Sequence, residues 1–185
     1  MSAFEFVFSL FGLLLGLSLA EVLGGLVRVV QARGSIRVGW LTPMLGLIVM
    51  LDLTTFWSVA WVLRDRLPPA LLTLVVGLLV SGIYYVAASL VVPREVTVGV
   101  DLDDYYMAHR REVLGAVIAA NLVVVASIAS FVQRIPLGEA AVGELFIVPM
   151  AVAIVSGRKW VNLAALAITL TIYGFYIVGV GWARG

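Results

Sequence analysis

Apolar residues in this chain come in long runs rather than alternating with polar ones, and the runs are broken by short polar segments. Continuous runs of this kind read as buried or lipid-facing helices, whereas period-two alternation would point to strands or to a transmembrane barrel. Six runs are long enough to cross about 30 Å of hydrocarbon as helices, at about 4–30, 39–63, 70–92, 107–133, 139–156 and 160–182. The fifth is the shortest, contains Glu144, and is expected to kink at Pro149. The predicted fold is an all-α, polytopic bundle of six transmembrane helices forming one domain over residues 1–185.

Tryptophans give an independent ruler. Trp40 and Trp61 bracket the second run, and Trp160 and Trp182 bracket the sixth. At 1.5 Å per residue each pair spans about 32 Å, the separation of the two interfacial aromatic belts. The connections are short. Arg33-Gly34-Ser35 joins runs one and two, Pro68-Pro69 opens run three, and Pro136 and Gly138 join runs four and five. In the longer connection of about 93–104, Asp101 or Asp103 suits the N-cap of the fourth helix.

Basic residues set the expected orientation. Arg28, Arg33, Arg37, Arg94, Arg110, Arg111, Arg158 and Lys159 lie at one end, and Arg64, Arg66, Arg134 and Arg184 at the other. This asymmetry puts both termini outside the cytoplasm, in a plasma membrane such as the bacterial inner membrane. Six helices also admit two inverted halves of three. Tyr84-Tyr85 in helix three and Tyr173 to Tyr176 in helix six lie at similar positions, but Asp52 has no counterpart in helix five.

Composition sharpens this picture and excludes other classes. Of 185 residues, 63% are hydrophobic and 12% charged, more apolar surface than a water-soluble fold of this length can bury. A net charge of +1 gives no basic face for a nucleic acid. No cysteine and a single histidine leave no disulfide, thiolate centre or paired-histidine haem, and no cofactor or metal is expected. The N-terminus lacks the basic leader of a cleavable signal and carries Glu5 instead. No hydrolase elbow, metalloprotease or phosphate-loop motif is present, so no enzymatic activity is expected.

The chemistry lies in the few polar residues at depth. Asp52 is at the midpoint of the second helix, where an acid must be protonated, paired or facing a wet cavity. Thr55 shares its face and can donate a hydrogen bond to it. Glu21 lies in helix one nearer the inner surface, with Arg28 two turns on, too far for pairing unless both side chains lean together. Glu144 and the mid-membrane Asn121 complete a ladder of polar groups at several depths, which is what a proton or ion route needs. The same groups also suit interhelical hydrogen bonding. Tyr84, Tyr85, Tyr173 and Tyr176 read mainly as packing or interfacial aromatics, although their hydroxyls have the reach to line the same cavity.

Gly12, Gly16, Ala20 and Gly24 form a small-residue stripe that predicts a close helix contact within the chain or between subunits. In the polar stretch before helix four, Tyr105, Tyr106, His109, Arg110 and Arg111 are expected at lipid headgroups on the inner surface.

The expected function is a small channel or transporter for a proton or monovalent cation, centred on Asp52. Six helices leave little room for a cavity, so a homo-oligomer is expected. The alternatives are a scaffold or sensor that docks through residues 101–112, and a lipid-binding membrane protein.

Overall fold

A computed structural model describes residues 3–62, 64, 70–131 and 145–183. These residues form six helices: α1 (Ala3–Ala32), α2 (Leu41–Val62), α3 (Leu71–Ser89), α4 (Leu102–Phe131), α5 (Ile147–Val155) and α6 (Lys159–Ala183). Five of them, all but α5, are long and apolar enough to cross a membrane. The chain is thus a helical protein built for a membrane. The nine residues of α5 reach only about 14 Å, less than half a hydrocarbon core. Glu144 and residues 139–144 of the expected fifth run lie outside the described residues. Pro149 sits in the first turn of α5 rather than in mid-helix. A first-turn N–H has no intrahelical acceptor, so the proline costs α5 no hydrogen bond and kinks nothing there.

The α1–α2, α3–α4 and α5–α6 connections gather at one end of the bundle, called here the basic end. There Arg37 N donates to Val100 O (2.9 Å), Leu102 N to Arg37 O (3.0 Å) and Gly99 N to Ser35 O (2.9 Å). These bonds fuse the first two connections. The aspartates nearby start the helices. Asp101 Oδ1 accepts from the backbone N–H groups of Asp103 (2.9 Å) and Asp104 (3.2 Å), which N-caps α4. That cap starts α4 at Leu102, five residues earlier than the hydrophobic run predicts. Asp103 reaches across to α2 and accepts from Leu41 N at 3.0 Å. Gly39, at φ +57°, lies against the Asp103 carboxylate, and any Cβ there would overlap it.

α1 and α3 run side by side in the same direction. Phe11, Leu15, Ser18, Val22, Gly25 and Val29 are the buried face of α1, spaced alternately four and three apart. The Phe11 ring fills the place where a side chain on Gly77 of α3 would stand. A Cβ on Gly25 would come within 2.9 Å of Val92. The close contact of α1 is therefore made at Gly25 and at Gly77 on its neighbour, not along the predicted stripe. Gly16 and Ala20 are exposed, Gly12 meets only Trp57 and Phe8, and the Arg28 guanidinium lies beside Gly24. Small residues predict close approach only where a neighbouring side chain enters the space they leave.

α2 is the central helix and packs against α1, α3, α4 and α6. α5 fills the angle between α4 and α6. The packing of α1 along α3 has no equivalent between α4 and α6, so the arrangement lends no support to two repeated halves.

Candidate functional site

Asp52 is completely buried at the middle of α2. Because α2 touches four other helices, a side chain at its midpoint has neighbours on several sides. Three of those helices aim a donor at the carboxylate. Tyr173 of α6 donates its hydroxyl to Oδ1 at 2.6 Å. Tyr84 of α3 donates to Oδ2 at 2.8 Å, and Asn121 Nδ2 of α4 donates to the same oxygen at 2.9 Å. Asn121 Nδ2 also donates to Val117 O at 2.9 Å and lies 3.4 Å from the Tyr84 hydroxyl. Its bond to a backbone carbonyl fixes which end of the amide faces Asp52.

Aromatic packing sets the tyrosines. The Tyr173 ring stacks on Phe146, which immediately precedes α5, with centroids 5.0 Å apart. The Tyr84 ring meets Phe56 of α2 edge-on at 5.9 Å. Rings held this way keep the two hydroxyls on the carboxylate instead of sweeping through rotamers.

The cluster also fixes the register of α2 and α6, which run in parallel. Trp40 lies twelve residues before Asp52, and Trp160 thirteen before Tyr173. Along the helix axes those are about 18 and about 20 Å, so both tryptophans reach the same level at the basic end. Trp61 and Trp182 each lie nine residues beyond their partner in the cluster, at the other end. Asp52 therefore sits near the midplane between the two tryptophan levels.

A second polar cluster ties α4, α5 and α6 together at the basic end. Tyr106 OH donates to Asn162 Oδ1 at 2.8 Å. Asn162 Nδ2 donates to the backbone oxygens of Ser156 (2.9 Å) and Arg158 (3.0 Å). Arg110 Nε donates to Ala153 O at 3.2 Å, and its Nη1 donates to Met107 O. Arg111 Nε reaches Ile154 O at 3.4 Å. Ala153 O and Ile154 O belong to the last turn of α5, which has no intrahelical donors left for them. The positive guanidinium there also opposes the negative end of the helix dipole.

Between the clusters lies an apolar layer. Leu45 and Ile48 of α2, Leu114 and Val117 of α4, Met150 of α5 and Leu166 of α6 are all fully buried. Thr169 is buried in the same interval, but its hydroxyl is spent on Ala165 O of its own helix at 2.9 Å.

The sequence-predicted residues divide accordingly. Asn121 joins Asp52. Thr55 does not, since its hydroxyl donates to the backbone oxygen of Asp52 at 2.8 Å, as a residue three places on in a helix readily does. Glu21 lies apart from the cluster and pairs with Arg28 at 3.7 Å, the two side chains leaning together along α1. Of the residues expected at headgroups, Tyr106 is 1% and Arg110 8% exposed, because both serve the α4–α5–α6 junction instead. Arg111 is exposed, and Tyr105 stacks on His109 at 4.2 Å. Tyr84 and Tyr173 are what a reading of the sequence undervalues. Tyr84 does fall on the same helical face as Thr73, Gly77, Ser81 and Ala88, all small or polar, and that pattern was the available signal.

Set against known protein families, curated proteins and solved structures, the chain matches none of them.

Proposed function

We propose that this is a six-pass integral membrane protein that moves protons, with Asp52 as the group that binds and releases them. The single observation that carries the reading is a carboxyl group at mid-depth, fully buried, with donors from three other helices on its two oxygens. Acids are costly at that depth and are retained where they act. The donor set favours a proton over a monovalent metal cation. A cation needs converging lone pairs, whereas the Asn121 amide presents N–H, and its bond to Val117 O holds it that way. A proton needs no such set. A phenol hydroxyl both donates and accepts, so Tyr173 or Tyr84 can accept from a protonated Asp52 when its own hydrogen turns to another acceptor.

The six-pass reading is supported by the course of the helices. α4 leaves the basic end and α6 starts there, an arrangement that fits six passes. The excess of basic residues at that end favours placing it in the cytoplasm, with both termini outside a plasma membrane. A homo-oligomer remains part of the proposal, because so small a bundle has little interior to spare.

A second reading is favoured by the apolar layer between the two polar clusters. In it the Asp52 cluster locks four helices in place and carries nothing, and the protein is a scaffold or sensor. Proton and potassium flux into liposomes, wild type beside Asp52→Asn, separates the two. Proton flux in wild type and none in a folded Asp52→Asn protein supports transport. Absence of flux in both, with equal folding, favours the scaffold.

A further inference from the structure

The charges at the basic end are unevenly employed. Asp101 caps α4, Asp103 caps α2, and Asp104 holds Lys159 at 2.6 Å. Three acids of the long connection are thus taken up by backbone N–H groups and one lysine, while Glu95 stays exposed beside Arg94. The arginines beside them are not taken up. Arg33, Arg37, Arg94 and Arg158 are exposed and have no acidic partner among the described residues. Arg33, Arg37 and Arg94 belong to the two connections that the Arg37, Val100 and Leu102 backbone bonds fuse into one unit, so their charges sit on a fixed base.

Their depth is also set. Trp40, 72% exposed, follows Arg37 by three residues, and Trp160, 66% exposed, follows Arg158 by two. Both tryptophans lie about 19 Å along their helices from the mid-depth cluster, beyond the half-thickness of a hydrocarbon core and at the level of the headgroups. Unpaired guanidiniums at that level face lipid phosphates, which they bind through paired N–H donors.

From these positions we infer that Arg33, Arg37, Arg94 and Arg158 form a binding surface for the headgroups of anionic phospholipids. It takes over the role that the sequence suggested for Tyr106 and Arg110. The inference rests on the chain's place in a membrane and not on the role of Asp52, so proton flux has no bearing on it. The guanidiniums are available to phosphate because the nearby aspartates are held by backbone N–H groups and by Lys159 rather than by these arginines.

The test is native mass spectrometry of the detergent-purified full chain with equimolar phosphatidylglycerol and phosphatidylcholine. Wild type is expected to carry several times more phosphatidylglycerol, and the triple variant R37Q/R94Q/R158Q to carry the two lipids equally. R64Q, at the opposite end, is expected to keep the preference. The triple lysine variant R37K/R94K/R158K retains the charge and is expected to retain most of the preference, which separates loss of charge from loss of fold. Equal binding of the two lipids by wild type overturns the inference, and so does a preference that survives the glutamine variant. Adding inorganic phosphate distinguishes the remaining source of the same chemistry. Phosphate that displaces the lipid at equal concentration marks a site for the free anion and overturns the assignment to lipid.

Discussion

The two polar clusters of this bundle look alike as hydrogen-bond diagrams, yet they answer to different needs. At the basic end Arg110 and Asn162 serve backbone carbonyls of the α5–α6 connection and of the last turn of α5. Those carbonyls exist whatever the side chains are, and burying them unpaired is costly, so the fold itself demands that cluster. The Asp52 cluster satisfies almost no backbone group. Its donors and its acceptor are side chains that leucines or phenylalanines could replace with no backbone group left unpaired, since Val117 O lies in the interior of α4 and Asn121 adds only a second bond to it. A well-packed apolar core holds helices at least as well as a buried polar network. The residues at the basic end are accounted for by architecture. Those at mid-depth are not called for by any backbone group, and the proposed proton binding rests on that difference.

The comparison is broken most severely by removing the acceptor alone. Asp52→Leu removes the shared acceptor of the Tyr84 and Tyr173 hydroxyls and of one Asn121 N–H, and is predicted to cost about 3 kcal/mol in reversible unfolding from mixed micelles. Asp52→Asn retains an acceptor oxygen and most of the shape, and should unfold close to wild type while losing proton flux. Next in size, Arg110→Leu leaves Ala153 O without its donor and is predicted to cost about 1–3 kcal/mol. Its flux per folded molecule should equal that of wild type. A large flux defect in a folded Arg110→Leu protein would erase the distinction between the clusters.

Matched hydroxyl deletions sharpen it further. Tyr173→Phe and Tyr106→Phe each remove one buried O–H bond and should each cost about 1 kcal/mol. Only Tyr173→Phe is expected to change the pH dependence of flux, since only that hydroxyl touches Asp52. The smallest effect belongs to Lys159→Gln, which breaks the exposed pair with Asp104 and should leave both unfolding and flux unchanged within error.

Much of this was legible in the chain. Helix positions followed from runs of apolar residues, because a lipid-facing helix has to be apolar over its full length. Asp52 and Asn121 stood out because polar groups at depth are rare. Depth along one helix does not say which face of a neighbour lies opposite, so Tyr84 and Tyr173 could not be assigned to Asp52. The small-residue stripe on α1 marks no close contact within the chain, for a related reason. Gly25 and Gly77 are tight because Val92 and Phe11 enter the space beside them, and neither neighbour is visible from the spacing of glycines. Arg110 was misjudged because a charged side chain near the end of a span usually reaches for headgroups. Here a short helix ends beside it with free carbonyls, and an end of that kind in a nine-residue helix is hard to foresee from composition.

Infrared difference spectroscopy during a pH titration of the lipid-reconstituted protein tests the central claim most directly, because it sees the proton on the carboxyl group itself. The account predicts that a carbonyl stretch of a protonated carboxylic acid grows as the pH falls, and that this band is missing from Asp52→Asn. A band that persists unchanged in Asp52→Asn, or a wild-type protein with no titrating buried carboxyl at all, would contradict it.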